Sequence, residues 1–304
     1  MKKILITGSN GLLGQKLIDH YLLRPNIGLI ATAKGENRYP KTAGYHFESM
    51  DITHPSQVNK VLTKFSPDCV INTAAMTNVD ACETHKGEAQ KLNVEAVNYL
   101  VEATNEIDAH LIHLSTDFIF DGEAGPYKED DIPNPLSYYG ETKLAAEKII
   151  QTASNKWSIV RTILVYGLVQ DMSRSNIVLW AKQSLEKGLP MRIVDDQFRT
   201  PTLAEDLALG CSLVEDKEAL GIFNISGKDH MSIFELVQRV ANYFKLDTSI
   251  VEKVSSKTLN QIAVRPPITG FILDKSRTKL GYEPHRFEEG ISLIMKQLTA
   301  IQSP

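Results

Sequence analysis

Long apolar runs, a cysteine framework and an excess of basic residues are all missing from this 304-residue chain. No stretch approaches the ~20 consecutive apolar residues that cross a bilayer as a helix, so a membrane-spanning role is excluded. The opening MKKILITG sets two lysines before apolar residues, as a secretory leader would, but glycine and polar residues follow at once and no leader is expected. Cysteine is limited to Cys69, Cys82 and Cys211, which are far apart and contain no CxxC pair. Neither a disulfide framework nor a zinc knuckle fits that pattern; no metal is expected, and a reducing cytoplasm is. Lys and Arg total 33 against 37 Asp and Glu, for a net charge of −4. The clustered basic stripe that grips nucleic acid or a membrane surface is lacking. What is there, 42% hydrophobic and 23% charged residues, is the composition of a soluble globular protein, for which small-molecule work is the default.

In the first half, short β-branched runs alternate with longer amphipathic stretches. KILIT, GLIATA, CVINTAA, HLIHLST and WSIVRTILVYG read as strands, and helical patterns fall near residues 56–65, 87–105 and 139–152. Strand and helix in series imply a parallel sheet covered on both faces, so the expected fold class is α/β, a Rossmann-type doubly wound sheet. After Gly167 the rhythm loosens. SNIVLWAKQSLEKG, PTLAEDLALGCSLVE and SIFELVQRVANYF read as helices, MRIVDD and GIFNISG as strands, and RPP at 265–267 marks irregular chain. The expected division is a nucleotide-binding domain over 1–167 and a smaller α/β substrate lobe over 168–304, some of whose segments return to the first domain. The terminal IQSP is expected to fray.

ILITGSNGLLG places Gly8, Gly11 and Gly14 directly after a strand and at the opening of a helix. Gly8 permits the tight turn, Gly11 lets the backbone approach a pyrophosphate, and Gly14 allows helix to pack closely on strand. The helix N-terminus offers free N–H groups and partial positive charge to the phosphates. A carboxylate for two ribose hydroxyls is expected at the end of the second strand, yet IATAKGENR has Ala33 there, followed by Lys34 and Arg38. Cations without a carboxylate suit a 2′-phosphate, so NADPH is the expected cofactor, with NADH a lesser alternative. Asp51 and Ile52, after another short extended run, are candidates to contact the adenine.

NPLSYYGETKLAAEK puts Tyr139 and Lys143 four residues apart, on one helix face, while Tyr138 points elsewhere. A phenol with pKa near ~10 exchanges protons poorly at neutral pH, and a neighbouring ammonium stabilises its phenolate. Such a pair can trade a proton with a carbonyl or alcohol oxygen. Upstream, Ser115 and Thr116 close HLIHLST at the strand end where open α/β sheets hold their ligands, and Thr116 is placed to hydrogen-bond the same oxygen.

The glycine triplet, NTAA at 72–75, STDFIF at 115–120, YGETK at 139–143 and RTILVYG at 161–167 resemble the extended short-chain dehydrogenase/reductase superfamily. Within it, PYKEDDIPNPLSYYGETKLAAEK and DDQFRTPT are similar to the dTDP-4-dehydrorhamnose reductase family and its near relatives, over almost the whole length. The resemblance implies catalytic Thr116, Tyr139 and Lys143; cofactor contacts by Gly11, Leu12, Leu13, Asp51, Ile52, Ala74, Ala75 and Thr77; and substrate contacts by Thr116 and Asp117. It also implies that Asn93, in KLNVEA, braces the lysine through water. The implied partners are a nucleotide-sugar substrate and a second copy of the chain in a homodimer.

Nucleotide-sugar 4,6-dehydratases share these features but need Thr-Asp-Glu at the strand end, where this chain has Thr116-Asp117-Phe118. Epimerases favour the acidic second-strand end that Ala33 replaces, which leaves carbonyl reduction. Against it stands Leu164, where the rhamnose reductases commonly carry tryptophan. A regulatory relative, the β subunit of methionine adenosyltransferase, also has leucine there, so an NADP-binding regulatory subunit is the alternative. His110 and His113 fall on opposite strand faces and do not share a metal. Asp195 and Asp196 read as turn and lobe-packing residues. Arg199 and Arg265 are candidates for a substrate diphosphate, since guanidinium forks suit it, although surface salt bridges explain them equally.

Overall fold

The computed structural model describes residues 1–169 and 176–302. Seven parallel strands form the central sheet: β1 (Lys2–Thr7), β2 (Ile27–Ala33), β3 (His46–Ser49), β4 (Cys69–Asn72), β5 (His110–Thr116), β6 (Trp157–Thr162) and a late strand, Gly221–Asn224. Side by side they run Gly221–Asn224, β6, β5, β4, β1, β2, β3. After β1 the chain builds outward through β2 and β3, then returns to the other flank of β1 for β4. That reversal opens a crevice at the C-terminal ends of β1 and β4, where ligands of open α/β sheets sit.

The apolar runs follow from burial on both faces. Ile4, Ile6, Cys69, Ile71 and Ile112 meet Leu17 and Ile18 of α1 (Leu12–Leu22) and Leu207, Cys211 and Val214 of a helix at Ala204–Asp216. Their neighbours Leu5, Val70, Leu111 and Ile159 point the other way, onto α2 (Pro55–Phe65), α5 (Ala96–Glu106) and α6 (Tyr138–Ala153). A separate core joins Leu179, Leu185, Ile193, Leu236, Val240, Ile291 and Ile294 from the helices Ile177–Glu186, Ile233–Phe244 and Phe287–Gln302 and the strand Met191–Val194. Of the tail expected to fray, Ser303 and Pro304 lie outside the described residues.

Two elements differ from the sequence reading, each for a local reason. The helix expected near 87–105 follows the short α3 (Val79–Thr84) and is α4 (Lys86–Gln90) joined to α5 through a π-turn at Lys91–Glu95. That widened turn carries Asn93 inward, where its amide bonds the Met76 backbone and Thr142. The run WSIVRTILVYG is not one strand, because Leu164 takes a left-handed φ of 41°, unfavourable for its Cβ, and bends the chain. Beyond it Val165–Tyr166 pairs with Thr202–Leu203 instead of extending β6. GIFNISG does return to the central sheet, at its edge beside β6.

Candidate active site

Gly8 ends β1 in a left-handed conformation, φ +65°, and a Cβ there would stand 2.8 Å from the Ala74 nitrogen. Gly14 has its own constraint: a Cβ would come within 2.5 Å of the Gly8 carbonyl, so α1 lies directly on the turn. Gly11 is the N-cap of α1; no side chain caps that end, and no acid stands in the first turn. First-turn N–H groups have no intrahelical partner, so this N-terminus is free to meet an anion. Leu12 and Leu13 face a cavity of about 560 Å³ that runs from the glycine turn across the ends of β4 and β5.

Ala75 and Thr77 line the same cavity, and Ala74 sits beside Gly8, its N–H 3.4 Å from Thr7 Oγ1. Lys34, Arg38, Asp51 and Ile52 lie past the ends of β2 and β3, outside this cavity. Asn10, which the sequence did not single out, ties that region to the glycine turn by donating to Glu36 O at 2.9 Å and accepting from Arg38 N at 2.9 Å. Lys34 is not unpaired, as Asp51 Oδ2 lies 3.0 Å away. The lysine is 82% exposed, and such surface pairs are weak enough to exchange for a phosphate. Burial would raise the Asp51 pKa, but the Thr53 N–H and hydroxyl, followed by Lys34, bring it down to about 2. The Ile52 side chain belongs to the core, leaving only its backbone to meet a ligand.

At the other end of the cavity, Ser137 caps α6 through Gly140 N. Gly140 is required here because a Cβ would collide with the Phe118 carbonyl. This contact seats the first turn of α6 on the end of β5, so Tyr139 and Lys143 reach the same space as Thr116. Tyr138 turns away, its ring under the Lys86 ammonium at 4.8 Å. Tyr139 packs edge-on against Phe118. Burial holds its phenol well above the usual range, with the neighbouring Thr116 hydroxyl opposing this. Lys143 is also buried, and burial brings its ammonium down to about 8, against the pull of Glu147. It donates to Leu114 O at 2.6 Å and meets His113 Nε2 at 3.0 Å.

Asp117 accepts hydrogen bonds from Thr116 at 3.1 Å and Thr269 at 2.5 Å. Burial raises its pKa, with Arg199 opposing. Ser115 borders the cavity, and its buried Oγ has no hydrogen-bond partner among the described residues.

Three candidates are engaged by partners within the protein. Asn93 is fully buried with its amide bound to the Met76 backbone and Thr142, so any bridge from it to Lys143 runs through water, as the resemblance implies. Arg265 lines the cavity, but its fork is closed on Asp80 at 3.1 and 2.7 Å. Arg199 spends its N–H groups on the carbonyls of Phe198, Pro266 and Pro267, with Asp117 3.7 Å away. A guanidinium as buried as that of Arg199 must be paired, so its fork is not open to a diphosphate, whereas the part-exposed Arg265–Asp80 pair, like Lys34–Asp51, is one a phosphate can displace. Asp195 and Asp196 do serve packing, paired with Lys253 and with Ser255 and Ser256 respectively. His110 bonds Ser158 on its own side of the sheet, away from His113.

A tyrosine and lysine held beside a glycine turn at the end of a doubly wound sheet is the arrangement of NAD(P)-dependent oxidoreductases of the extended short-chain class, and this protein is one of them. More narrowly, the chain belongs to the RmlD substrate binding domain family, which matches residues 1–300. A solved dTDP-4-dehydrorhamnose reductase from Clostridium acetobutylicum is 29% identical with a TM-score of 0.86, covering 98% of this chain and 99% of that one. The Bacillus anthracis dTDP-4-dehydrorhamnose reductase in complex with NADP is 26% identical with a TM-score of 0.83, covering 98% and 100%. Methionine adenosyltransferase 2 subunit beta from Bos taurus is 29% identical over 259 residues, 84% of this chain and 75% of that protein. No helix among the described residues is long and apolar enough to cross a membrane.

Proposed function

We propose that the protein reduces the ketone of a nucleotide-linked 4-keto sugar with NADPH, dTDP-4-dehydro-L-rhamnose being the leading substrate. The observation that carries this reading is the buried meeting of Thr116, Tyr139 and Lys143 in one cavity with the glycine turn. The residues fit a dinucleotide: Gly8 and Gly14 shape the turn where no Cβ could fit, and the α1 N-terminus is uncapped. When bound, that coenzyme supplies the hydride. Tyr139 gives its phenolic proton to the carbonyl oxygen, and Thr116 hydrogen-bonds the same oxygen as negative charge grows there. The Lys143 ammonium, one helical turn on, stabilises the phenolate left behind. Support for the sugar and the coenzyme comes from the two reductases, one with NADP bound, that the chain covers end to end.

A second reading, a coenzyme-binding regulatory subunit, is favoured by Leu164 on the cavity wall and by the methionine adenosyltransferase subunit. A panel of nucleotide 4-keto sugars with NADPH, followed by nicotinamide absorbance, separates the two. Oxidation of NADPH with the dTDP-linked ketone is expected. NADPH binding without turnover on any member would select the regulatory reading.

The coenzyme preference has its own test. Lys34→Ala is expected to raise the KM for NADPH about tenfold, the worth of one charge-assisted contact, and to leave that for NADH unchanged. An equal effect on both would remove Lys34 from the 2′-phosphate.

A further inference from the structure

Behind the wall of the cleft, the register of three adjacent strands sets Thr7, Asn72 and His113 in one row. Their side chains meet in series: Thr7 Oγ1 lies 2.6 Å from Asn72 Oδ1, Asn72 Nδ2 lies 3.0 Å from His113 Nδ1, and His113 Nε2 lies 3.0 Å from Lys143 Nζ. None of the four residues is more than 2% exposed. Proton counting constrains such a row. An ammonium only donates, so a charged Lys143 needs Nε2 as acceptor, which puts the ring proton on Nδ1. Asn72 must then turn its carbonyl oxygen to Nδ1 and its NH2 to the Thr7 hydroxyl. A neutral Lys143 amine gains a lone pair and so permits every link to reverse: it accepts from Nε2–H, Nδ1 accepts from the Asn72 NH2, and the Asn72 oxygen accepts from Thr7.

Both patterns occupy the same heavy-atom positions, because amide oxygen and nitrogen exchange places on a half-turn. Charging His113 instead is opposed by burial and then by Lys143, which hold its imidazole well below the usual range. The remaining charged or titratable neighbours of Lys143 are few. Glu147 stands one turn along α6 and is itself clamped by Arg161 of β6. Tyr139 stands one turn back, and Asp117, after β5, is matched by Arg199.

We propose that Thr7, Asn72 and His113 form a positioning relay that sets whether Lys143 carries its proton. Its consequence for catalysis, control of the phenolate at Tyr139, rests on the reductase reading; the relay itself does not. His113 is a positioning residue, since it acts only through Lys143.

The test is a carbon-13 NMR titration of the free protein labelled at lysine Cε, with Lys143→Arg used to identify the resonance. His113→Phe removes the acceptor and is expected to lower the Lys143 midpoint by about one pH unit. Asn72→Asp locks Nδ1–H toward an anion, leaves Nε2 as acceptor, and is expected to raise the midpoint by about the same amount. His113→Gln, whose amide oxygen also accepts, is expected to return it toward the unsubstituted value. Circular dichroism establishes that each variant is folded; should His113→Phe not fold, the raised midpoint of Asn72→Asp against the unshifted midpoint of His113→Gln still reads the relay. Coincident midpoints in the folded variants, or shifts of His113→Phe and Asn72→Asp in the same direction, would overturn it. Because no coenzyme or sugar is present, that failure would leave the reductase reading standing, and a silent sugar panel would leave the relay standing.

Discussion

Tyr139→Phe is expected to lower kcat for ketone reduction by about 10²- to 10⁴-fold while the coenzyme Kd stays unchanged. Phenylalanine keeps the ring against Phe118 and within the small cluster with Cys82 and Ala89, so the cleft retains its shape. Only the hydroxyl beside Thr116 is lost, and with it the proposed proton donor. The unsubstituted protein should also show an alkaline limb. Lys143 carries its charge below a pKa of about 8, so as pH rises through that value the ammonium is lost and the phenolate forfeits its stabilising neighbour. Proton donation therefore falls with rising pH, and kcat/KM is expected to decline above pH 8. Undiminished turnover by the variant would place proton transfer elsewhere, while a flat profile up to pH 10 would detach Lys143 from it.

The parts of this site visible in the sequence are those whose cause is local. Gly8 is needed by a left-handed turn, and Gly14 by a helix pressed on that turn, so the spacing alone announces them. Tyr139 and Lys143 share a face by helical geometry, and the strands read as apolar runs because both their faces are covered. The parts that were hidden depend on register and on distant partners. His113 meets Asn72, 41 residues back, only because β4 and β5 pair in the register Asn72 to His113. Arg265 closes on Asp80, 185 residues earlier, and nothing near either residue foretells it. The direct partners of the Asn93 amide, Met76 and Thr142, are set by a π-turn that no helical periodicity announces. Leu164 was conspicuous as a residue type, yet its backbone bend, which ends β6 at the cavity wall, left no mark in the composition around it.

Glu147→Ala is expected to destabilise the fold by about 3–5 kcal/mol, lowering Tm by on the order of 10 °C in a thermal melt. The carboxylate on α6 receives Arg161 Nε at 3.0 Å and Nη2 at 2.7 Å, and the side chains of the pair are 0% and 2% exposed. Arg161 is further fixed by the Glu129 carbonyl at 2.9 Å and lies over the Phe120 ring, so it has no path to water. Removing the acid leaves a desolvated cation facing apolar neighbours, which is the costly half of any buried pair. Glu186→Ala supplies the contrast: its contact with Lys182 is 2.5 Å, shorter than either bond of the buried pair, but Glu186 is 43% exposed and the expected cost is below about 1 kcal/mol. Glu147→Gln separates fold from chemistry, since it keeps an oxygen for Arg161 while removing the anion that holds the Lys143 proton. Its alkaline limb should therefore move to lower pH than that of the unsubstituted protein. A limb that stays in place would show that Glu147 serves the sheet alone and does not act on the lysine one turn away.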